Sequence, residues 1–345
     1  MVTVNPGHYA LVVGIDHYPR FRSLKGARKD AEEFHAWLVD SGGGGVPQDN
    51  AALVLSEESP SRPIHEDIDD ALEDLMDKAR ASAGPGARRF YLYFSGHGLG
   101  RSNLGVDLCL ARWSKSRRTM ALDSQGYLRL AMGCGLFTEV VFLMDCCRVR
   151  EIRAGALPPT IEPPAPGDGA PVSRSFVAYA TEFMNAAYEA RTGTGSDGED
   201  VRGHFTRALM AALMGAAAEP EGGVRASRLK QYIEVNTPLI ARAANHLQRP
   251  EVVNGLDAEN DPLFGSAKPS RRTVTVVIAF APGTVGDVVV EDGQLRELRR
   301  GDAVSGPWRI VLDEPTRLGV RSLGDGREIT VRVRGDETED VHVSF

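Results

Sequence analysis

Two textures of hydrophobic spacing alternate along the first half of the chain. Tyr9-Ala-Leu-Val-Val-Gly-Ile-Asp16 is a nearly continuous apolar run ending in a charge, which predicts a strand buried on both faces. Asp30 to Val39 changes to helical spacing, with Ala31, Phe34, Trp37 and Leu38 on one side. Glycine-rich Ser41 to Gln48 predicts a loop, Ala51 to Leu55 a short strand, and Ile64 to Ala79 a helix with Ile68, Leu72, Leu75 and Met76 on its apolar face. Arg89 to Phe94 reads as a third strand, followed by Ser95-Gly-His97-Gly98. A short strand at Leu108 to Ala111 and a helix at Gln125 to Met132 come next. Glu139 to Met144 is a further buried strand, and it runs into Asp145-Cys146-Cys147. Strands alternating with helices predict an α/β fold, a mostly parallel central sheet flanked by helices.

The second half begins with a Pro/Gly-rich loop over about 151–174. Ser175 to Thr181 reads as a strand, Arg191 to Gly203 as a polar loop, His204 to Ala218 and Ala226 to Ala244 as helices, and Leu247 to Gly265 as irregular. From Arg272 the texture becomes strict alternation, with Val274, Val276, Ile278 and Phe280 pointing one way. Val288–Val290, Trp308–Leu312, Leu318–Arg321, Ile329–Val333 and Val341–Val343 are short strands between turn residues. The expected organisation is therefore one large domain over 1–265 and a small, sandwich-like all-β accessory domain over 270–345.

At 345 residues, with 42% hydrophobic and 25% charged residues, the chain has enough apolar material for a sizeable core, which excludes wholesale disorder. No apolar run is long enough to predict a membrane span, and the first residues do not read as a secretory signal. A net charge of −7 argues against sequence-independent nucleic-acid binding. The four cysteines have neither zinc-finger spacing nor the density of a disulfide framework, so reduced thiols in a cytoplasmic protein are expected. The Gly42–Gly45 run has no following Lys-Ser/Thr and is not a phosphate loop. Lys115, Arg117 and Arg118 read as a solvated turn.

In parallel α/β sheets, functional groups gather at the carboxyl ends of strands. Asp16, His97 and Cys147 all fall at or just past such ends. Glycines on both sides of His97 allow close backbone approach. A thiol must become a thiolate to attack a carbonyl, and a neighbouring imidazole can take its proton. His97 and Cys147 stand 50 residues apart, the separation typical of caspases.

Three motifs carry a resemblance to the caspase-like superfamily of cysteine peptidases, nearer to metacaspases and paracaspases than to true caspases. Tyr9–Asp16 with Leu24-Lys-Gly-Ala-Arg-Lys-Asp30-Ala resembles the family's first strand and loop. Phe90-Tyr-Leu-Tyr-Phe-Ser-Gly-His97-Gly resembles its histidine motif, and Phe142-Leu-Met-Asp145-Cys-Cys147-Arg its nucleophile motif. Phe176–Thr181, Ala187-Tyr-Glu189 and Gly203-His-Phe-Thr-Arg-Ala-Leu209 resemble its small-subunit half. The resemblance covers roughly residues 8 to 265.

It implies a caspase-like sandwich and a Cys147–His97 dyad, with the oxyanion held by the N–H groups of Gly98 and Cys147. Cys146 fills a variable position and is expected to pack inward. True caspases carry an Arg near the start of the first loop, where Leu24 stands here, and a Gln at the position of Asp145. Cleavage after aspartate is therefore not implied. Asp30 and Asp145 match acidic positions of the metacaspase pocket for basic residues, which implies cleavage after Arg over Lys, and Tyr188 and Glu189 would line the groove. Bland readings remain beside these: Asp30 as a helix N-cap, Asp145 as a strand-end carboxylate satisfied by loop amides.

No cofactor or metal is expected; some metacaspases use calcium, but no dense carboxylate set stands out here. The expected partners are protein substrates, with the β module as an interaction or regulatory unit. Self-processing in the 148–174 loop, or after Arg191 or Arg202, would fit a basic specificity, and a regulatory or defence pathway fits the architecture by analogy. The rivals are a non-catalytic caspase-like scaffold docking partners through the β module, and a thiol-binding protein using the Cys146-Cys147 pair.

Overall fold

The computed structural model describes residues 4–82, 89–103, 105–150, 155–162, 172–191, 201–256, 259–267, 274–281, 283–292, 296–312, 317–333 and 338–344. Two units, Met1–Pro269 and Ser270–Phe345, divide the chain.

The first unit begins β1 (His8–Gly14), α1 (Ala27–Val39), β2 (Ala51–Leu55), α2 (His65–Ala81), β3 (Arg89–Ser95), β4 (Gly98–Ser102), β5 (Gly105–Cys109) and β6 (Ala121–Asp123). It continues α3 (Ser124–Gly133), β7 (Glu139–Asp145), β8 (Val149–Arg150), β9 (Arg174–Tyr179), β10 (Glu189–Arg191), β11 (Val201–Gly203) and α4 (His204–Ala211). It closes with β12 (Val224–Arg225), α5 (Ala226–Ala243), β13 (Glu251–Asn254) and β14 (Leu263–Gly265).

Six strands form the central sheet in the order β13-β9-β7-β3-β1-β2, and all pair in parallel except β13. Alternate residues enter two cores. Tyr9, Leu11 and Val13, with Phe90, Leu92 and Phe94, meet α2 and α3 on one face. Ala10 and Val12, with Tyr91, Tyr93, Val141 and Leu143, meet α1, α4 and α5 on the other. Helices on both faces explain why these strands read as unbroken apolar runs. The unit is a three-layer α/β/α sandwich, with a side sheet β6-β5-β4-β8 beyond the carboxyl ends of β3 and β7.

The second unit packs two sheets over one core: β15 (Val274–Phe280) with β18 (Trp308–Leu312) and β21 (Thr338–Val343), and β16 (Asp287–Glu291) with β17 (Glu297–Asp302), β19 (Arg317–Ser322) and β20 (Glu328–Arg332). Val276 and Ile278 are fully buried, and Phe280 packs against them.

The structure departs from the predicted elements where strands are short. Leu247–Gly265 is not irregular: it holds the antiparallel edge strand β13 and the short β14. The polar 191–203 segment begins and ends in a three-residue ladder, β10 with β11. Such strands hydrogen-bond to distant partners and bury few side chains, so periodicity does not reveal them. The helix expected to reach Ala218 stops at Ala211 and passes through a π turn, with Gly215 at φ 119°. The 105–109 segment, not 108–111, is the strand of the side sheet.

Candidate active site

The register of the central sheet sets the site. β3 and β7 are neighbours, and Ser95 pairs with Asp145 on their last rung. The Gly96 N–H donates to the Asp145 carbonyl at 3.2 Å, carrying the ladder past the strand ends. His97 and Cys147 thus each follow the same rung by two residues, on strand ends one sheet spacing apart, about 4.8 Å.

His97 is held on every side. Its Nε2 lies 2.6 Å from the carbonyl oxygen of Arg22, so this nitrogen carries the proton and Nδ1 is left unprotonated. The Tyr18 hydroxyl accepts from the His97 N–H at 2.9 Å and donates to the Cys109 carbonyl at 3.1 Å. The rings of Tyr18 and Phe21 pack against the imidazole at 4.6 and 4.8 Å. Burial lowers the His97 pKa, and the Arg22 carbonyl partly offsets this.

The Cys147 thiol lies against one residue of the opposite wall, 3.3 Å from the Ala187 N–H and 3.4 Å from the Ala187 carbonyl. Burial raises its pKa, with the Ala187 N–H opposing. Both shifts favour neutral groups, a protonated thiol at Cys147 and an unprotonated Nδ1 at His97. No hydrogen bond joins the two side chains among the described residues; such bonds often form only with substrate bound. Cys146 is buried, as expected.

Gly98 is required by close packing. A Cβ there would come 2.5 Å from Cys146 Sγ and 2.6 Å from the Cys147 carbonyl oxygen. Cys109 N–H donates to the His97 carbonyl, which makes Gly98–Leu108 a non-hydrogen-bonded pair, so the Gly98 N–H points away from β5.

The acidic residues converge on β11. Asp30 Oδ2 accepts from the Gly203 N–H at 3.0 Å, and Asp145 Oδ2 accepts from the N–H and hydroxyl of Thr206 at 3.0 and 2.7 Å. A Cβ on Gly203 would collide with Asp145 Oδ2 and lie 3.0 Å from Asp30 Oδ2. Glu189 is the residue paired with Gly203 across the ladder, and its carboxylate accepts from the Lys25 and Gly26 N–H groups. Arg202 bonds Asp30 at 3.3 Å and also bonds Glu33.

Asp30 is not an N-cap: Gly26 caps α1, and Asp30 is a buried residue of its first turn. Asp145 is satisfied not by loop amides but by the N–H and hydroxyl of one residue, Thr206, in the first turn of α4. Burial and the charge of Asp145 push Asp30 up, while burial pushes Asp145 up to about 6 despite its Thr206 bonds. Tyr188 stands at the edge of the cluster. Its ring stacks on His246 at 4.3 Å and its N–H donates to Gln248 Oε1.

The raised carboxyl pKa has a signed consequence for stability. The native state keeps the Asp145 proton up to about pH 6, whereas the unfolded chain releases it near its ordinary value of 3.8. Between those values the native state binds more protons, so its stability is greatest at the acid end and falls as pH rises. Denaturation midpoints from pH 4 to 7 should show this decline, and Asp145→Asn should flatten it.

A caspase-domain family model matches residues 8–258. The chain belongs to the caspase-domain family of peptidases. A protein of a Desulfuromonadales bacterium named as a probable protease is 32% identical over 227 residues, 60% of this chain and 26% of that relative. The chain thus spans about a quarter of the length of the curated relative it matches. Among the described residues, no helix of this caspase-family chain is long and apolar enough to cross a membrane, and no three His, Cys, Asp or Glu residues are grouped to hold a metal ion.

Arg22 and Tyr18 escaped the sequence reading, and Ala187, Thr206 and Arg202 were named there without these roles, because backbone groups and long-range contacts leave no local pattern. Arg148 did so too, though it adjoins Cys147. Its guanidinium is fully buried, bonded to the carbonyls of Asn103 and Thr181 and to Glu251 Oε2, and set 4.0 Å over the Tyr179 ring. Arg148→Ala should cost about 2 kcal/mol, since it leaves the buried Thr181 carbonyl, the Asn103 carbonyl and the Glu251 carboxylate without their donor. Urea denaturation would show it as a lower midpoint at unchanged slope.

Proposed function

We propose that the chain is a cysteine endopeptidase that cleaves after Arg, and more slowly after Lys. The dyad reading is carried by the equivalent positions of His97 and Cys147 beyond one rung of adjacent parallel strands. His97 Nδ1 takes the thiol proton as Cys147 Sγ attacks the scissile carbonyl, so no resting ion pair is needed. The Gly98 and Cys147 N–H groups stabilise the oxyanion. The imidazolium returns the proton to the leaving amine, and the neutral ring then activates water to hydrolyse the thioester.

Basic specificity is supported by the gathering of Asp30, Asp145 and Glu189 around Gly203. Asp30 already holds one guanidinium, that of Arg202. Tyr188 lines the approach. The test is a peptidyl electrophile ending in Arg, which should label Cys147 stoichiometrically and be blocked by excess Arg peptide. A chain that acts only as a scaffold would not be labelled.

An enzyme of this specificity can cut itself at exposed arginines. Arg150, Arg174 and Arg191 are exposed, whereas Arg202 is engaged with Asp30 and Glu33. Arg153 and most of the Pro/Gly-rich loop lie outside the described residues. Intact-mass spectrometry should find fragments ending at one of the exposed arginines in wild type and none in Cys147→Ala. Identical masses after prolonged incubation would exclude self-processing.

A further inference from the structure

A cavity of about 220 Å³ lies beside the segment that touches Cys147, between the end of β9, the C-terminal half of α5 and the segment following α5. Its polar lining is Thr181, Glu182, Asn185, Arg242, Gln248 and Arg249. None of the ion pairs or hydrogen bonds of the described residues engages the guanidinium of Arg242 or Arg249. Glu182, on the same wall, neutralises neither. An arginine in the last turn of a helix is ordinary, which accounts for Arg242 by itself. It does not account for a second unpaired guanidinium lining the same small space.

These features share one chemical answer. Two unpaired guanidiniums and one carboxylate leave the cavity net positive, and guanidinium N–H groups match the oxygens of a carboxylate or phosphate.

The cavity is also wired to the candidate active site. Gln248 accepts from the Tyr188 N–H at 2.9 Å and donates to the Ala180 carbonyl at 3.0 Å. The Asn185 carbonyl accepts from the Arg148 N–H at 2.9 Å, next to the nucleophile. Both lining residues therefore brace the 185–188 segment, whose Ala187 backbone meets the Cys147 thiol.

We propose that this cavity is a second binding site, for a carboxylate or phosphate group, and that filling it sets the 185–188 segment against Cys147. The group can come from a free small anion or from an acidic side chain of the bound substrate. The coupling to cleavage rests on the peptidase reading above; the binding does not.

Calorimetric titration of the full-length Cys147→Ala chain with inorganic phosphate, at ionic strength held constant with chloride, tests binding alone. Saturable binding is expected, weakened roughly tenfold by Arg249→Gln or Arg242→Gln. These surface variants should keep the parent's melting temperature. In the active chain, kinetics on Arg-ending peptides distinguish the two sources. A free-anion site predicts that phosphate raises kcat/KM several-fold on a peptide with Gln upstream of the cut, and not in Arg249→Gln. A substrate subsite predicts that Glu at one upstream position lowers KM about tenfold relative to Gln, that phosphate competes with it, and that Arg249→Gln removes the preference. No phosphate binding together with no Glu preference overturns the site. Phosphate binding that changes neither kcat nor KM, with no Glu preference, overturns the coupling. A chain that cleaves nothing yet binds phosphate through Arg249 refutes the peptidase reading and leaves the site standing.

Discussion

Cys147→Ala is expected to abolish peptide cleavage, and Cys146→Ala to leave most of it. The two thiols are adjacent in sequence but differ in environment. Cys146 is 2% exposed, faces the core beside Gly98, and burial holds its thiol well above the ordinary range. A substrate carbonyl cannot reach it, nor can it ionise cheaply. Cys147 is only partly buried, and its thiol meets the Ala187 backbone on the opposite wall. Loss of a nucleophile removes the covalent route entirely, and comparable deletions cost about 10³-fold or more in kcat. Cys146→Ala trims one sulfur from a core that can partly close over it, at about 1 kcal/mol of stability. The measurement is kcat on an Arg peptide for both purified variants, with melting temperatures alongside. An inactive Cys146 variant beside an active Cys147 variant would reverse the assignment.

The second large effect concerns the residue before the cut. A pocket that buries a charged side chain must supply the opposite charge. Asp145, two residues before Cys147, and Asp30 both close on the Gly203 backbone, so in the specificity proposed above they would flank the residue before the cut. Arg can fork to both carboxylates, whereas the Lys ammonium is a point charge. Turnover should therefore rank Arg above Lys, with essentially none after Asp.

Asp145→Ala and Asp30→Ala should each lower kcat/KM on Arg peptides by roughly 10²-fold, in line with loss of one partner of a buried charge pair. Asp30→Ala also removes one partner of Arg202, which keeps Glu33, so the charge balance around the pocket shifts toward positive. Asp145→Asn keeps one acceptor for the Thr206 N–H and separates the pocket effect from loss of the α4 cap. Because Asp145 ionises only near pH 6, KM for Arg peptides should rise as pH falls through that value. Matched fluorogenic peptides ending in Arg, Lys and Asp decide the ranking, and faster turnover of the Asp peptide would overturn the pocket.

The central sheet was legible because strands covered on both faces cannot hide their apolar runs, and because parallel strands need helical crossovers whose 3.6-residue spacing is equally plain. His97 and Cys147 were visible for the same reason, since each lies just past a strand end, whereas Asp30 and Asp145 were singled out only by the family resemblance. The small β unit announced itself by alternation, and Val276 and Ile278 fill its core accordingly.

Other features required the tertiary structure. Only the register of β3 with β7 shows that His97 and Cys147 follow the same rung. The proton on His97 Nε2 is assigned by a backbone carbonyl at Arg22, and backbone atoms carry no sequence identity. The gathering of three carboxylates around Gly203 depends on β10 and β11, ladders too short to bury a periodic face. The charge of Asp145 raises the Asp30 pKa, and that of Glu189 the Asp145 pKa, through distances that the chain sets only when folded. The amino-acid sequence by itself determined the layered α/β architecture and the chemical types at the strand ends, because burial imposes a local period. Proton positions, pocket walls and the cavity beside Ala187 were decided by contacts between residues far apart in the chain, where no local period exists to be read.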